Sequence, residues 1–274
     1  MTELTVRRLL VDLDTPWPRH WVGGDAFRSA WLNALSYSFP AGEQLFIDAV
    51  RLGLAQLDPA ARERFAPEVQ GFIGQEATHR RVHQRFNARL DALGYHNAWE
   101  QRIRHRVATQ LEGLDARAWV AVTAATEHFT AILAEYLLTE PWALDGAEPR
   151  LRDLWLWHSS EESEHRSTAF DLYRALGGSE KWRRRVYVTV SLHFVSDLAR
   201  QMTSNLWRDG HLWRPATWVG GARLVFGRRG IVRRLLKPWW RYFGTGFHPS
   251  QGDAVPGARW LAAHADLAPP VAAP

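Results

Sequence analysis

The stretch LWLWHSSEESEHRSTAFDLYRALGG, residues 154–178, decides the reading of the fold. His158, Glu162 and His165 stand at i, i+4 and i+7, so a helix puts all three on one face. Leu154, Ala169 and Leu172 extend that face, which makes it the side a helix turns toward a core. A buried carboxylate without a partner is very costly, so this face demands a counter-charge.

Three other stretches repeat the situation. In FPAGEQLFIDAVR, residues 39–51, Glu43 shares its face with Phe46, Ile47 and Val50. In GFIGQEATHRRVHQRFN, residues 71–87, Glu76 and His79 point the same way as Phe72, Ile73 and Phe86, and His83 lies one turn further on. In ATEHFTAIL, residues 125–133, Glu127 is flanked by Thr130 and Ala131, with Thr123 and Ala124 on the turn before. One Glu from each of two helices plus Glu-x-x-His from each of the other two is the general recipe for a pair of metal ions in a helical bundle. A single Glu-x-x-His is a weak signal. The order Glu, ExxH, Glu, ExxH, one element per helix, is stronger. The intervals Glu43–Glu76 and Glu127–Glu162 each suit a helical hairpin that returns to the same height, and the longer gap from His79 to Glu127 leaves room for a crossover.

The expected fold class is all-α: a ferritin-like four-helix bundle with a di-metal site, followed by basic, Trp-rich C-terminal helices. Expected helices cover 25–36, a second opened by Pro40 and running to Leu57, a short one through Phe65, and a long one from Pro67 to Gly94. Others cover 98–111, 116–140, an unbroken 148–176 and 179–207. Residues 1–178 form the N-terminal segment and bundle. Residues 179–274 form an extension expected to pack on it as part of the same domain.

The chain has 274 residues and no cysteine, which excludes disulfides, Fe–S clusters and thiolate zinc sites. Imidazole and carboxylate ligands suit two iron ions (Fe2+/Fe3+), with manganese or zinc also compatible. Residues 181–274 carry 15 Lys+Arg against 4 Asp+Glu, while the first 180 carry 19 against 25, so the two parts are expected to do different jobs. Seven of the 15 Trp also lie beyond residue 180. The leading expectation is that the C-terminal helices cover the bundle and bury these rings. The second is a peripheral contact with a membrane surface. No nucleic-acid module is recognisable. Residues 1–14 lack the apolar run of a signal peptide, so the default location is cytoplasmic, at the inner face of the membrane if the basic region docks there.

The four quoted stretches, with FHPSQGD at 247–253, resemble the predicted metal-dependent hydrolase family, a ferritin-like group, over roughly residues 25–250. The order His158-x-x-x-Glu162-x-x-His165 also resembles the arylamine N-oxygenases of the aureothin pathway, di-iron enzymes that add one histidine to the ferritin set. The metal ligands expected are Glu43, Glu76, His79, Glu127, His158, Glu162 and His165. Glu161, His83, Thr123 and Thr130 are expected behind them or along a pocket. The first expectation for function is an oxygenase that uses O2 and an external electron donor to oxidise a small molecule by N-oxygenation, hydroxylation or desaturation. A metal-dependent hydrolase is the alternative, and a non-catalytic iron-binding bundle is the third reading. A homodimer is left open.

Overall fold

The computed structural model describes residues 4–271. The helices are α1 (Ala26–Gln56), α2 (Pro59–Ala92), α3 (Ala98–Arg106), α4 (Ala116–Thr139), α5 (Pro149–His165), α6 (Thr168–Ala175), α7 (Glu180–Arg208), α8 (Pro215–Phe226), α9 (Ile231–Arg241) and α10 (Val255–Ala263). No strand occurs among the described residues, only two isolated bridges, Arg7 with Pro270 and Val22 with Ala147. The starts of the long helices follow from short polar side chains: Asp25, Asp58, Asp115 and Ser179 each accept from first-turn N–H groups that have no partner within the helix. No described helix is long and apolar enough to cross a membrane.

Helices α1, α2, α4 and α5 form the bundle around the acidic faces. The start of α1 meets the end of α2, where Tyr37 donates to Asp91. The end of α1 meets the start of α4, where a Cβ on Gly53 would lie 2.8 Å from Val120. Helix α2 therefore finishes at one end of the bundle and α4 begins at the other, so residues 93–115 cross its length. Within that crossover α3 runs on into a π-helical turn at Val107–Leu111. The N-terminal segment lies flat on α2 because Gly71 and Gly74 leave room for Leu4 and Val6; a Cβ at either glycine would meet them at 2.6 and 2.3 Å.

Three expectations about helix ends need correction. Pro40 does not open a helix. It sits inside the continuous α1. An interior proline removes the N–H that would bond the carbonyl four residues back, here that of Ser36. Asn87 on α2 replaces it, its Nδ2 donating to the Ser36 carbonyl at 2.9 Å. Pro67 is likewise interior to α2, on an exposed turn where water can serve the freed carbonyl. The unbroken helix expected at 148–176 is interrupted at Arg166-Ser167. There Arg166 leaves the ladder, with Nε donating to the Ser163 carbonyl and Nη2 to that of Asp253.

The C-terminal helices do cover the bundle: α7 lies along α1 and α4, α9 against α4, and α10 against α5. They do not bury most of their tryptophans. Trp182, Trp207, Trp213, Trp218 and Trp240 are exposed, and only Trp239 and Trp260 are partly covered. Arg183 is the buried exception among the cations, stacked on Tyr242 and bonded to the Gly244 carbonyl.

The Pro40–Asn87 pairing gives a direct test. Asn87→Ala strands the Ser36 carbonyl in the core and is expected to cost about 1–3 kcal/mol in thermal or urea unfolding. In a Pro40→Ala background the restored N–H re-pairs that carbonyl, and the same Asn87→Ala change is expected to cost measurably less. Equal costs in both backgrounds would contradict the pairing.

Candidate metal centre

Four helices deliver their acidic faces to one point in the bundle. Glu76, His79, Glu162 and His165 each place a ligand atom within 4.8 Å of the others, and Glu43, His79 and His158 do the same as a second, overlapping group. All are buried. Glu127 belongs to neither group, but its Oε2 lies 2.9 Å from His165 Nδ1, while His165 Nε2 lies 3.1 Å from Glu76. The seven residues singled out by spacing thus share one cluster.

The cluster leaves many polar atoms unpaired. Both oxygens of Glu43 and of Glu76 are buried with no aligned hydrogen-bond partner, as are Glu127 Oε1, His79 Nδ1 and His165 Nε2, whose 3.1 Å approach to Glu76 lacks hydrogen-bond alignment. Such orphaned atoms are rare because each costs its full desolvation. That they are all carboxylate oxygens and imidazole nitrogens, aimed at one small volume, fits a pair of cations as the missing partner.

Electrostatics says the same. Burial, with neighbouring carboxylates added, pushes Glu43 and Glu76 well above the ordinary carboxylate range, and burial with Glu162 pushes Glu127 up to about 7. Glu162 is held low: burial opposes, but His165 and His158 win. Burial would lower His165, yet Glu127 and Glu162 carry it up to about 9. An imidazolium and shared protons therefore supply the positive charge that metal ions would otherwise bring.

The residues behind the cluster fix which nitrogen each histidine offers. Ser36 donates its hydroxyl to Asn87 Oδ1 at 2.7 Å, so it must accept from His83 Nδ1 at 2.8 Å. Burial holds His83 neutral, far below its ordinary value, so its Nε2 is an acceptor. The His158 Nδ1–H therefore donates to it, at 3.0 Å. With Nδ1–H committed to His83, His158 turns Nε2 toward Glu162, 3.2 Å away. The order begins at Pro40, whose missing N–H fixes Asn87. Second, His79 Nε2 lies 2.9 Å from Glu161, which is also 3.2 Å from Arg7, and His79 Nδ1 faces the cluster. Such outer partners orient ligating imidazoles.

The residues expected behind the ligands separate here. Glu161 and His83 each contact a cluster histidine, and Thr130 donates to Glu162 at 2.6 Å. Thr123 does not take part; its hydroxyl bonds the Trp119 carbonyl of its own helix. Arg7, Ser36 and Asn87 were not singled out by the sequence. Arg7 lies in a non-helical segment that has no periodicity to mark it, while Asn87 carries a signal in retrospect, one proline whose orphan carbonyl needed a donor.

A cavity of about 330 Å3 opens onto the cluster, with Glu43, Glu162 and Thr130 at its inner end. Its walls come from α1, the α3–π turn, α4 and α7.

Residues 5–253 match the family model described as "Predicted metal-dependent hydrolase". The chain belongs to the predicted metal-dependent hydrolase family. No curated protein and no solved structure matches it. Within this predicted metal-dependent hydrolase, the buried His/Glu cluster is a site suited to a metal, and the family places the chain among enzymes.

A pH test follows from the raised groups. Glu127 and His165 bind protons more tightly folded than unfolded, so their contribution to stability is present at low pH. It is lost as pH rises through about 7 and about 9. His79 and His83 are lowered, so their contribution is lost only as pH falls below the ordinary imidazole value. Without metal, the centre should therefore lose stability from about pH 6.5 to about pH 8.5, and cations should restore it. The Tm gain on adding Mn(II) is expected to be larger at the higher pH; equal or reversed gains would contradict this picture.

Proposed function

We propose that this chain holds two iron ions through Glu43, Glu76, His79, Glu127, His158, Glu162 and His165, and oxidises a small apolar molecule with O2. The observation that carries the reading is the combination of a sulfur-free, four-carboxylate, three-histidine cluster with an adjoining apolar cavity. Bound iron would supply the redox chemistry with O2 that none of these side chains can perform. The reaction also needs electrons from a separate donor.

The protein's own part is positional. His158 and His79 present fixed lone pairs because His83 and Glu161 hold their other nitrogens. Thr130 orients Glu162 through its hydroxyl. Phe39 stacks on His158 at 4.6 Å between ring centres and keeps water from that side. Most of the cavity wall is apolar, and the hydroxyls of Ser38, Thr126 and Thr130 in it already donate to the protein, so a substrate there would be placed by shape. The likeness of the His158–Glu162–His165 spacing to that of N-oxygenases supports the same reading.

Hydrolysis is the second reading, favoured by the family match. In that case the metals would activate water for attack on an ester, amide or phosphoester. Against it, the one carboxylate lining the cavity outside the cluster, Asp197, is already held in ion pairs by Arg102 and Arg106, and burial with Arg106 holds His193 below its ordinary value, so neither is well placed to protonate a leaving group.

The two readings separate in one experiment. Protein loaded anaerobically with Fe(II) and then exposed to air is expected to consume O2 in proportion to bound iron, and Zn(II)-loaded protein to consume none. Glu76→Ala and His165→Ala should abolish both iron retention and O2 uptake. Ester or phosphoester cleavage by the Zn(II) form, with no O2 uptake by the iron form, would overturn the oxidative reading in favour of hydrolysis.

A further inference from the structure

The cavity that opens onto the metal centre has a shape and a charge pattern of its own. Along α4 it is lined by Ala118, Val122, Thr126 and Thr130. These stand four residues apart on one helix face, a stripe roughly 18 Å long at the α-helical rise. Small side chains along the whole stripe leave a channel beside the helix. The opposite wall is α7, which contributes Val186, Val190 and Phe194, and the sides are Phe46, Ile103 and Val107. About 330 Å3 drawn out over that length is narrow, so it suits a single flexible chain and not a fused ring system. The π-helical turn at Val107–Leu111 bulges into the wall at the outer half, as such turns often do beside ligand sites.

The two ends differ in polarity. Glu43 and Glu162 close the inner end. At the outer end Gln110, Leu114, Trp182 and Arg185 are exposed around the mouth. Arg106, His193 and Asp197 line the wall nearer the centre, since Asp197 stands twelve residues beyond Arg185 on α7, about 18 Å at the α-helical rise. Asp197 is buried and already shared by two guanidinium groups, Arg102 and Arg106. Arg185 makes no ion pair among the described residues. The lining of the mouth therefore carries one uncommitted positive charge, that of Arg185, and no carboxylate. A negative group is attracted there and repelled from the carboxylates at the bottom.

We propose that this cavity binds a single-chain amphiphile with an anionic head, such as a medium-chain carboxylate. The head rests at the mouth on Arg185, and the apolar tail points inward to the cluster. The tail end, remote from the head, is then the part presented to the metals. Trp182 and Leu114 cover the first carbons of the chain where it leaves water. The place of reaction rests on the proposed oxidative function, but the binding does not.

The test is equilibrium binding of decanoate, 1-decanol and decylamine to the full chain loaded with Zn(II), followed by calorimetry. Decanoate is expected to bind with one molecule per chain and at least tenfold more tightly than decylamine. Arg185→Glu, at an exposed position, should weaken decanoate at least tenfold and leave decanol within about twofold. Val122→Trp should block both ligands, and Thr189→Trp at the exposed rim should weaken both if Val122→Trp does not fold. Bound zinc should be unchanged in all the variants, which keeps the fate of this proposal separate from that of the metal centre. Any one of three results would overturn the proposal. These are equal affinity for decylamine, indifference to Arg185→Glu, or decanoate binding that survives both tryptophan substitutions. Loss of decanoate binding on removing zinc while Arg185→Glu has no effect would put the head on the metals, which also overturns it.

Discussion

Four carboxylates that converge in the dry interior of a helical bundle repel one another, and everything around them answers to that fact. An isolated buried carboxylate is costly enough to take up a proton instead of keeping its charge. Here Glu43 and Glu76 are driven far upward, and Glu127 and Glu162 raise His165 against its burial. The helices pay for this arrangement with unpaired oxygens that a purely structural core would not keep. Two divalent cations would remove the repulsion and the unpaired atoms together.

The surrounding structure serves the orientation of those groups. One chain of contacts starts from a backbone defect: Pro40 frees the Ser36 carbonyl, Asn87 takes it, and Ser36 and His83 then set the tautomer of His158. Another starts outside the bundle, where Arg7 on the N-terminal segment steadies Glu161 behind His79. Both place rigid acceptors behind flexible ligands, so the centre is arranged before any cation enters. On the opposite side the crossover and α7 do different work. They wall off a channel to the centre and put Arg185 at its mouth.

Much of this was legible in the sequence because helical periodicity marks which side chains share a face. Glu76 with His79, and His158 with Glu162 and His165, are local patterns, and local patterns survive folding. The pairing of Glu43 and Glu127 with them rested on interval lengths, which the antiparallel hairpins respect. What was not legible depended on contacts between distant segments. Pro40 read as a helix start because nothing nearby in sequence shows that Asn87 will supply the missing bond. The break at Arg166-Ser167 depends on carbonyls of Ser163 and Asp253, the latter far along the chain. Thr123 looked equivalent to Thr130 on the same helix, yet only Thr130 meets Glu162. The C-terminal tryptophans were expected inside, and most of them stand outside.

The central claim is that the acidic cluster is a two-metal site. Crystals of the protein soaked with Fe(II) under anaerobic conditions and measured at the iron absorption edge test it most directly. The account predicts two anomalous peaks per chain, one touching Glu43, His79 and His158 and the other touching Glu76, Glu162 and His165. A centre with no peak, or with iron only at surface histidines, would contradict it, and the buried carboxylates would then be held by protons alone.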